Sequence, residues 1–154
     1  MSITINPDDF LETSDGRVWT PERNAAAWCQ SYEALEQAIR SASDPARVIL
    51  VCGIQGAGKT SWIAAQPVCP ATIYFDAALP GVRHRAKIVA IAKRLGAKID
   101  AVWIDTPLTM AIARNARRSP DKIVPVSAII SVARQFEAPS RAEGFDDVQV
   151  HKGT

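Results

Sequence analysis

Eight consecutive residues, Gly53-Ile54-Gln55-Gly56-Ala57-Gly58-Lys59-Thr60, complete the pattern G-x-x-x-x-G-K-[ST] directly after an apolar run. The chemistry this spacing serves is the holding of a triphosphate. Glycines let successive backbone N–H groups turn inward around phosphate oxygens, where a Cβ would force the loop open. Lys59 is then the point charge that bridges the β- and γ-phosphates. The Thr60 hydroxyl is placed to ligate Mg²⁺, and Ser61 continues a helix whose positive dipole end faces the same phosphates. Gly53, Gln55, Gly56, Ala57, Gly58, Lys59, Thr60 and Ser61 are therefore the expected nucleotide-binding residues, with ATP and Mg²⁺ as cofactors.

Phosphoryl transfer to a hydroxyl also needs carboxylates and cations around the transferring group. Asp76 and Asp105 each end an apolar run, so each is expected at a strand tip; one would hold the water shell of Mg²⁺ and the other would take the acceptor's proton. Asp76 is the stronger candidate for the base. Asp105, assigned with Thr60 to the metal, has a competing role as the cap of the helix that follows it. Arg114 and Arg118, four apart before the breaker Ser119-Pro120, are expected to reach the phosphates together as a mobile arginine lid. Arg83 and Arg85 open a helix, where cations oppose the dipole, so binding of an acceptor phosphate is the expectation for both.

The elements that must position these residues follow from periodicity. Val48–Cys52 and Thr72–Asp76 read as strands, and Ile99–Asp105 as a third. Helices are expected from Thr60 through Ser61–Ala65 until Pro67, from Val82 to Leu95, from Thr106-Pro107 to about Arg118, and from Val126 to Phe136, with a last strand over Asp147–Val150. Strands alternating with helices imply an α/β fold, a parallel sheet of about four or five strands flanked by helices, with the site beyond the strands' carboxyl ends. Residues 47–154 are expected to form that core and residues 1–46 a small N-terminal extension packed on it. In that extension Asp15-Gly16 marks a hairpin turn within Phe10–Trp19, and Trp28, Tyr32, Leu35 and Ile39 share one helical face after the Thr20-Pro21 start signal.

Whole-chain properties narrow the classes. With 154 residues, 47% of them hydrophobic, the chain suits one core. No stretch approaches the length of a bilayer-spanning helix and the N-terminus lacks signal-peptide features, so a cytoplasmic protein without membrane partners is expected. Cys29, Cys52 and Cys69 lack metal-ligand spacing and read as reduced thiols. The net charge of +2 conceals an asymmetry: residues 1–80 hold five Lys/Arg against nine Asp/Glu, while residues 81–122 hold ten against three. That basic stretch suggests a polyanionic partner, with solvated helix faces as the simpler explanation of about half its cations. No Asn-Lys-x-Asp segment for reading guanine is present.

The loop, Tyr74-Phe75-Asp76 followed by Arg83 and Arg85, the stretch Ile104–Arg118, Val124-Pro125 and the box Gln135–Phe145 together resemble the kinase domain of polynucleotide kinases and their AAA-type P-loop relatives. The resemblance covers about Val48 to Val150. It implies an ATP- and Mg²⁺-dependent kinase acting on a hydroxyl, most often the 5′ end of a nucleic acid or a nucleotide. A small-molecule kinase and an ATP-binding or ATPase module without an acceptor are the alternatives. In that family a strand ending in the catalytic Asp, followed by a helix, lies between the phosphate-loop helix and the next strand; here only Gln66–Ala71 stands there. Either the unit is lost, or Asp76 takes over the base's role.

Overall fold

The computed structural model describes residues 2–153, so the first and last residues of the two expected segments lie outside it. Five parallel strands form the central sheet: β1 (Ile3–Ile5), β4 (Arg47–Cys52), β5 (Thr72–Asp76), β6 (Lys98–Asp105) and β7 (Asp147–Lys152), in the order β1-β5-β4-β6-β7. A separate two-stranded hairpin pairs β2 (Glu12–Thr13) with β3 (Gly16–Arg17), shorter than the expected Phe10–Trp19 span because a 3₁₀ turn occupies Pro7–Leu11. The α/β class and the parallel sheet are as the sequence implied.

Strand alternation sends two sets of side chains to opposite faces. Val48, Leu50 and Cys52 of β4, with Ile73, Phe75, Ile99 and Ala101, face α1 (Pro21–Ser41) and α3 (Val82–Arg94). Ile49, Val51, Tyr74, Val102 and Ile104 face the other way, against α4 (Leu108–Ala116), α5 (Val126–Gln135) and the short α2 (Lys59–Ala64). Being covered on both sides explains why these strands read as nearly continuous apolar runs. Cys52 is buried within this core, where loss of solvent pushes its thiol up to about 12.

The N-terminal segment is more than an attachment. β1 pairs Ile3, Thr4 and Ile5 with Ile73, Tyr74 and Phe75, so the first strand of the chain is an edge of the main sheet. Thr20 caps α1 through its side chain, which accepts from Arg23 N at 3.0 Å, and Leu35 and Ile39 bury in the core that Trp28 and Tyr32 flank. The place beside β5, where the sequence offered no strand between α2 and β5, is thus filled from before the phosphate loop.

Candidate functional site

Every strand of the sheet ends on the same side, and there the chain forms a cleft of about 680 Å³. The loop after β4 forms its floor. Gly56 has φ +83°, and a Cβ there would lie 2.2 Å from the Ala111 carbonyl; Gly58 has φ +103°. Only glycine adopts these angles without strain, so the turn that aims Gln55, Gly56, Gly58, Lys59, Thr60 and Ser61 into the cleft is written locally. Gly53 and Ala57 support the loop from beneath. The Ala57 carbonyl accepts from Thr106 Oγ1 at 2.7 Å and from Arg114 Nη1 at 3.1 Å, which ties the loop to the β6–α4 connection.

Lys59 Nζ donates to the carbonyls of Gly53 and Ile54 at 3.0 and 3.1 Å and lies across the loop. Burial holds its pKa below the ordinary lysine value, the Asp76 charge opposes that shift, and the nearby Arg118 adds to it. Asp76, at the tip of β5, is 2% exposed and accepts from Thr60 Oγ1 at 2.8 Å. Its pKa is raised, chiefly by burial, against the opposing effects of Lys59 and the Thr60 hydrogen bond. The Gln55 Oε1 atom is buried with no hydrogen-bond partner among the described residues, an orphan acceptor within the loop.

Arg114 and Arg118 both line the cleft, Arg114 from α4 and Arg118 from the turn beyond, since α4 ends at Ala116. Asn115, which the sequence did not single out, positions that turn: its amide donates to Val124 O at 2.7 Å and its oxygen accepts from Val124 N at 3.0 Å.

Three expected residues stand elsewhere. Asp105 is bonded to Lys152 of β7 and borders a small apolar pocket with Trp103 and Phe136, away from Lys59 and Thr60. The next residue, Thr106, turns its hydroxyl to Ala57 instead of capping α4, which starts at Leu108. Arg85 is fully buried: Nε and Nη2 reach the two oxygens of Glu143 at 2.8 and 3.1 Å, and Nη1 reaches Leu79 O at 2.9 Å. Arg83 is exposed on α3 and is not among the cleft's residues. Neither arginine meets an acceptor in the cleft, because the helix start they occupy is bound to the Gln135–Phe145 box: Glu137 N donates to Pro80 O at 2.7 Å, and Phe145 is buried.

The opposite wall comes from the segment expected to be peripheral. Asn6, Asp8, Leu11, Trp19, Asn24 and Trp28 line it, together with Arg17. Asn6 Oδ1 accepts from Asp8 N at 2.9 Å and starts the 3₁₀ turn that follows β1. The hairpin then meets the turn after α4, where Arg17 N donates to Asp121 Oδ2 at 2.9 Å.

No helix among the described residues is long and apolar enough to cross a membrane. No family model and no curated protein matches this chain. Among solved structures, the chain is similar to one titled "crystal structure of AvrRxo1-ORF1:AvrRxo1-ORF2 with sulphate ions", at 14% identity and a TM-score of 0.48; the match covers 77% of this chain and spans only 56% of that one.

Proposed function

We propose that this chain is a phosphotransferase of the P-loop kinase type, moving the γ-phosphoryl group of ATP onto a hydroxyl acceptor. The observation that carries the reading is the Thr60 Oγ1 to Asp76 Oδ2 hydrogen bond of 2.8 Å beside the Gly53–Thr60 loop, in a cleft that Arg114 and Arg118 also line. The loop amides and Lys59 bind the triphosphate, and the two arginines offset charge on the transferring group. Thr60 and Asp76 supply adjacent hard oxygen donors, which fit Mg²⁺, an ion that keeps most of its shell as water and phosphate. When bound, Mg²⁺ supplies charge neutralisation at the β- and γ-phosphates. The cleft's volume suits small ligands.

The test is titration of the full chain with Mg²⁺ and ATP, followed by transfer of labelled γ-phosphate to hydroxyl compounds. Lys59→Ala is expected to weaken nucleotide binding at least about tenfold, the equivalent of one lost charge-assisted contact. Asp76→Asn should keep most of the nucleotide affinity and lose transfer. A wild-type chain that fails to bind Mg²⁺-ATP at millimolar concentration would overturn the proposal.

A further inference from the structure

We infer that the acceptor is a small, uncharged, ring-bearing hydroxyl compound of the nucleoside kind, seated on the N-terminal wall of the cleft, with Asp8 receiving its proton. This rests on the phosphotransferase reading and adds the acceptor's chemistry to it.

Two adjacent parallel strands deliver two carboxylates to one cleft. Ile5 of β1 is paired with Phe75 of β5, so Asp8, three residues past the end of β1, and Asp76, the last residue of β5, emerge at the same edge of the cleft. Their surroundings differ. Asp76 is covered and bonded to Thr60, which commits it to the phosphate and metal end. Asp8 has a side chain 51% exposed, so a hydroxyl in the cleft can reach it. Its charge acts on the same centre, since Asp8 is among the groups that raise Asp76 and that hold a proton on Lys59.

The electrostatics of this wall disfavour a nucleic-acid strand. Its cation, Arg17, is engaged with Asp8 Oδ2 at 3.4 Å and Glu12 Oε1 at 3.3 Å, and Asp121 stands across from it. A chain of phosphates would meet carboxylates there, whereas polyanion binding requires cations along its track. Of the basic stretch, Lys87 lies 4.5 Å over the Tyr32 ring, Arg94 pairs with Glu36 and Lys93 pairs with Asp146, while Arg114, Arg118 and Lys122 line the cleft beside the phosphate loop and the turn after α4, across from this wall.

What the wall offers is flat apolar surface with a few polar groups. Trp19 is 62% exposed at the cleft, and Trp28, stacked on Phe75 at 5.9 Å, lines it too. An exposed indole beside a cleft is a stacking face for a planar ring, and Asn24 supplies both a donor and an acceptor. The Arg17 to Asp121 contact joins the two walls and limits the acceptor's length.

In the step, the acceptor oxygen forms a bond to the γ-phosphorus while the bond from that phosphorus to the β–γ bridging oxygen breaks. The electron pair leaves with ADP, and the hydroxyl proton passes to the Asp8 carboxylate. ATP is the only co-reactant.

The experiment follows labelled γ-phosphate from ATP to free nucleosides and to a 5′-hydroxyl oligonucleotide, with nucleotide binding measured in parallel. Transfer to at least one free nucleoside is expected, at least about a hundredfold faster than to the oligonucleotide and insensitive to added salt. Asp8→Asn should lower kcat about a hundredfold or more with ATP affinity kept, the usual range for a lost general base, and Asp8→Glu should recover part of it. Trp19→Ala, at an exposed site that folding does not need, should raise the nucleoside KM about tenfold with kcat little changed. Preference for the oligonucleotide, an Asp8→Asn variant as fast as wild type, or ATP binding with no transfer to any nucleoside would each overturn the inference and leave nucleotide binding standing. Absent ATP binding would overturn the phosphotransferase reading and the inference with it.

Discussion

Asp76 answers two demands that conflict. In the proposed phosphotransferase, serving the metal end asks for a charged carboxylate, while its covered position penalises the charge, so its pKa is raised by burial despite the opposing effects of Lys59 and Thr60. A raised folded-state value means that the unfolded chain gives up this proton first. The stability tied to it is fully present below the ordinary aspartate value and is lost as pH rises through the folded one. Asp76→Asn carries no such loss and its side-chain oxygen still accepts from Thr60. The variant should therefore melt above wild type at pH 7 to 8, with the gap closing towards pH 4. Thermal melts across pH read this directly, and a variant no more stable than wild type at neutral pH would contradict it. The same loss of turnover with gain of stability is usual where a site holds strained chemistry. The phosphate loop itself was legible because its meaning lies in eight consecutive residues and in glycine dihedrals that no distant contact decides. Asp8 was not, since nothing in Asn6-Pro7-Asp8 announces that the preceding three residues pair with Ile73–Phe75.

At the scale of elements, α3 shows why a charge can be misread. Cations at its start oppose the dipole, and a ligand was the local explanation; the actual partner is Glu143, 58 residues away in the 3₁₀ turn Arg141–Glu143. Arg85 and Glu143 are 0% and 6% exposed, so removing one leaves the other buried without compensation. Arg85→Leu alone should cost about 3–5 kcal/mol in urea unfolding, and pairing it with Glu143→Leu should restore most of that. A single variant as stable as wild type would show that the ion pair does not hold α3 to the C-terminal box. The helices α3, α4 and α5 were legible to within a residue or two from apolar spacing. Cross-links such as Arg85 to Glu143, Asn115 to Val124 and Asp105 to Lys152 were not, because each joins polar residues whose neighbours are set by packing.

For the whole molecule, β1 and α1 of the N-terminal extension complete the sheet's edge and cover one face of the core. Without residues 2–46, β5 would present an unpaired edge, and the face holding Val48, Leu50, Ile73 and Phe75 would lose the cover of Leu35 and Ile39. A fragment of residues 47–154 should accordingly lack a cooperative thermal transition and aggregate, as far-UV circular dichroism and size exclusion would show; a monomeric fragment melting cooperatively would contradict this. The α/β class was legible from alternating strands and helices, but a three-residue strand carries too little periodicity to be seen alone. Its placement also sets an order of events during synthesis. Strand β1, Ile3–Ile5, must wait for Ile73–Phe75, 70 residues later, to leave the ribosome before it has a parallel neighbour, so the nascent chain holds that segment unpaired in the meantime. In the proposed phosphotransferase Asp8 and Asp76 meet only then, so a chain stopped short of β5 would hold no working centre.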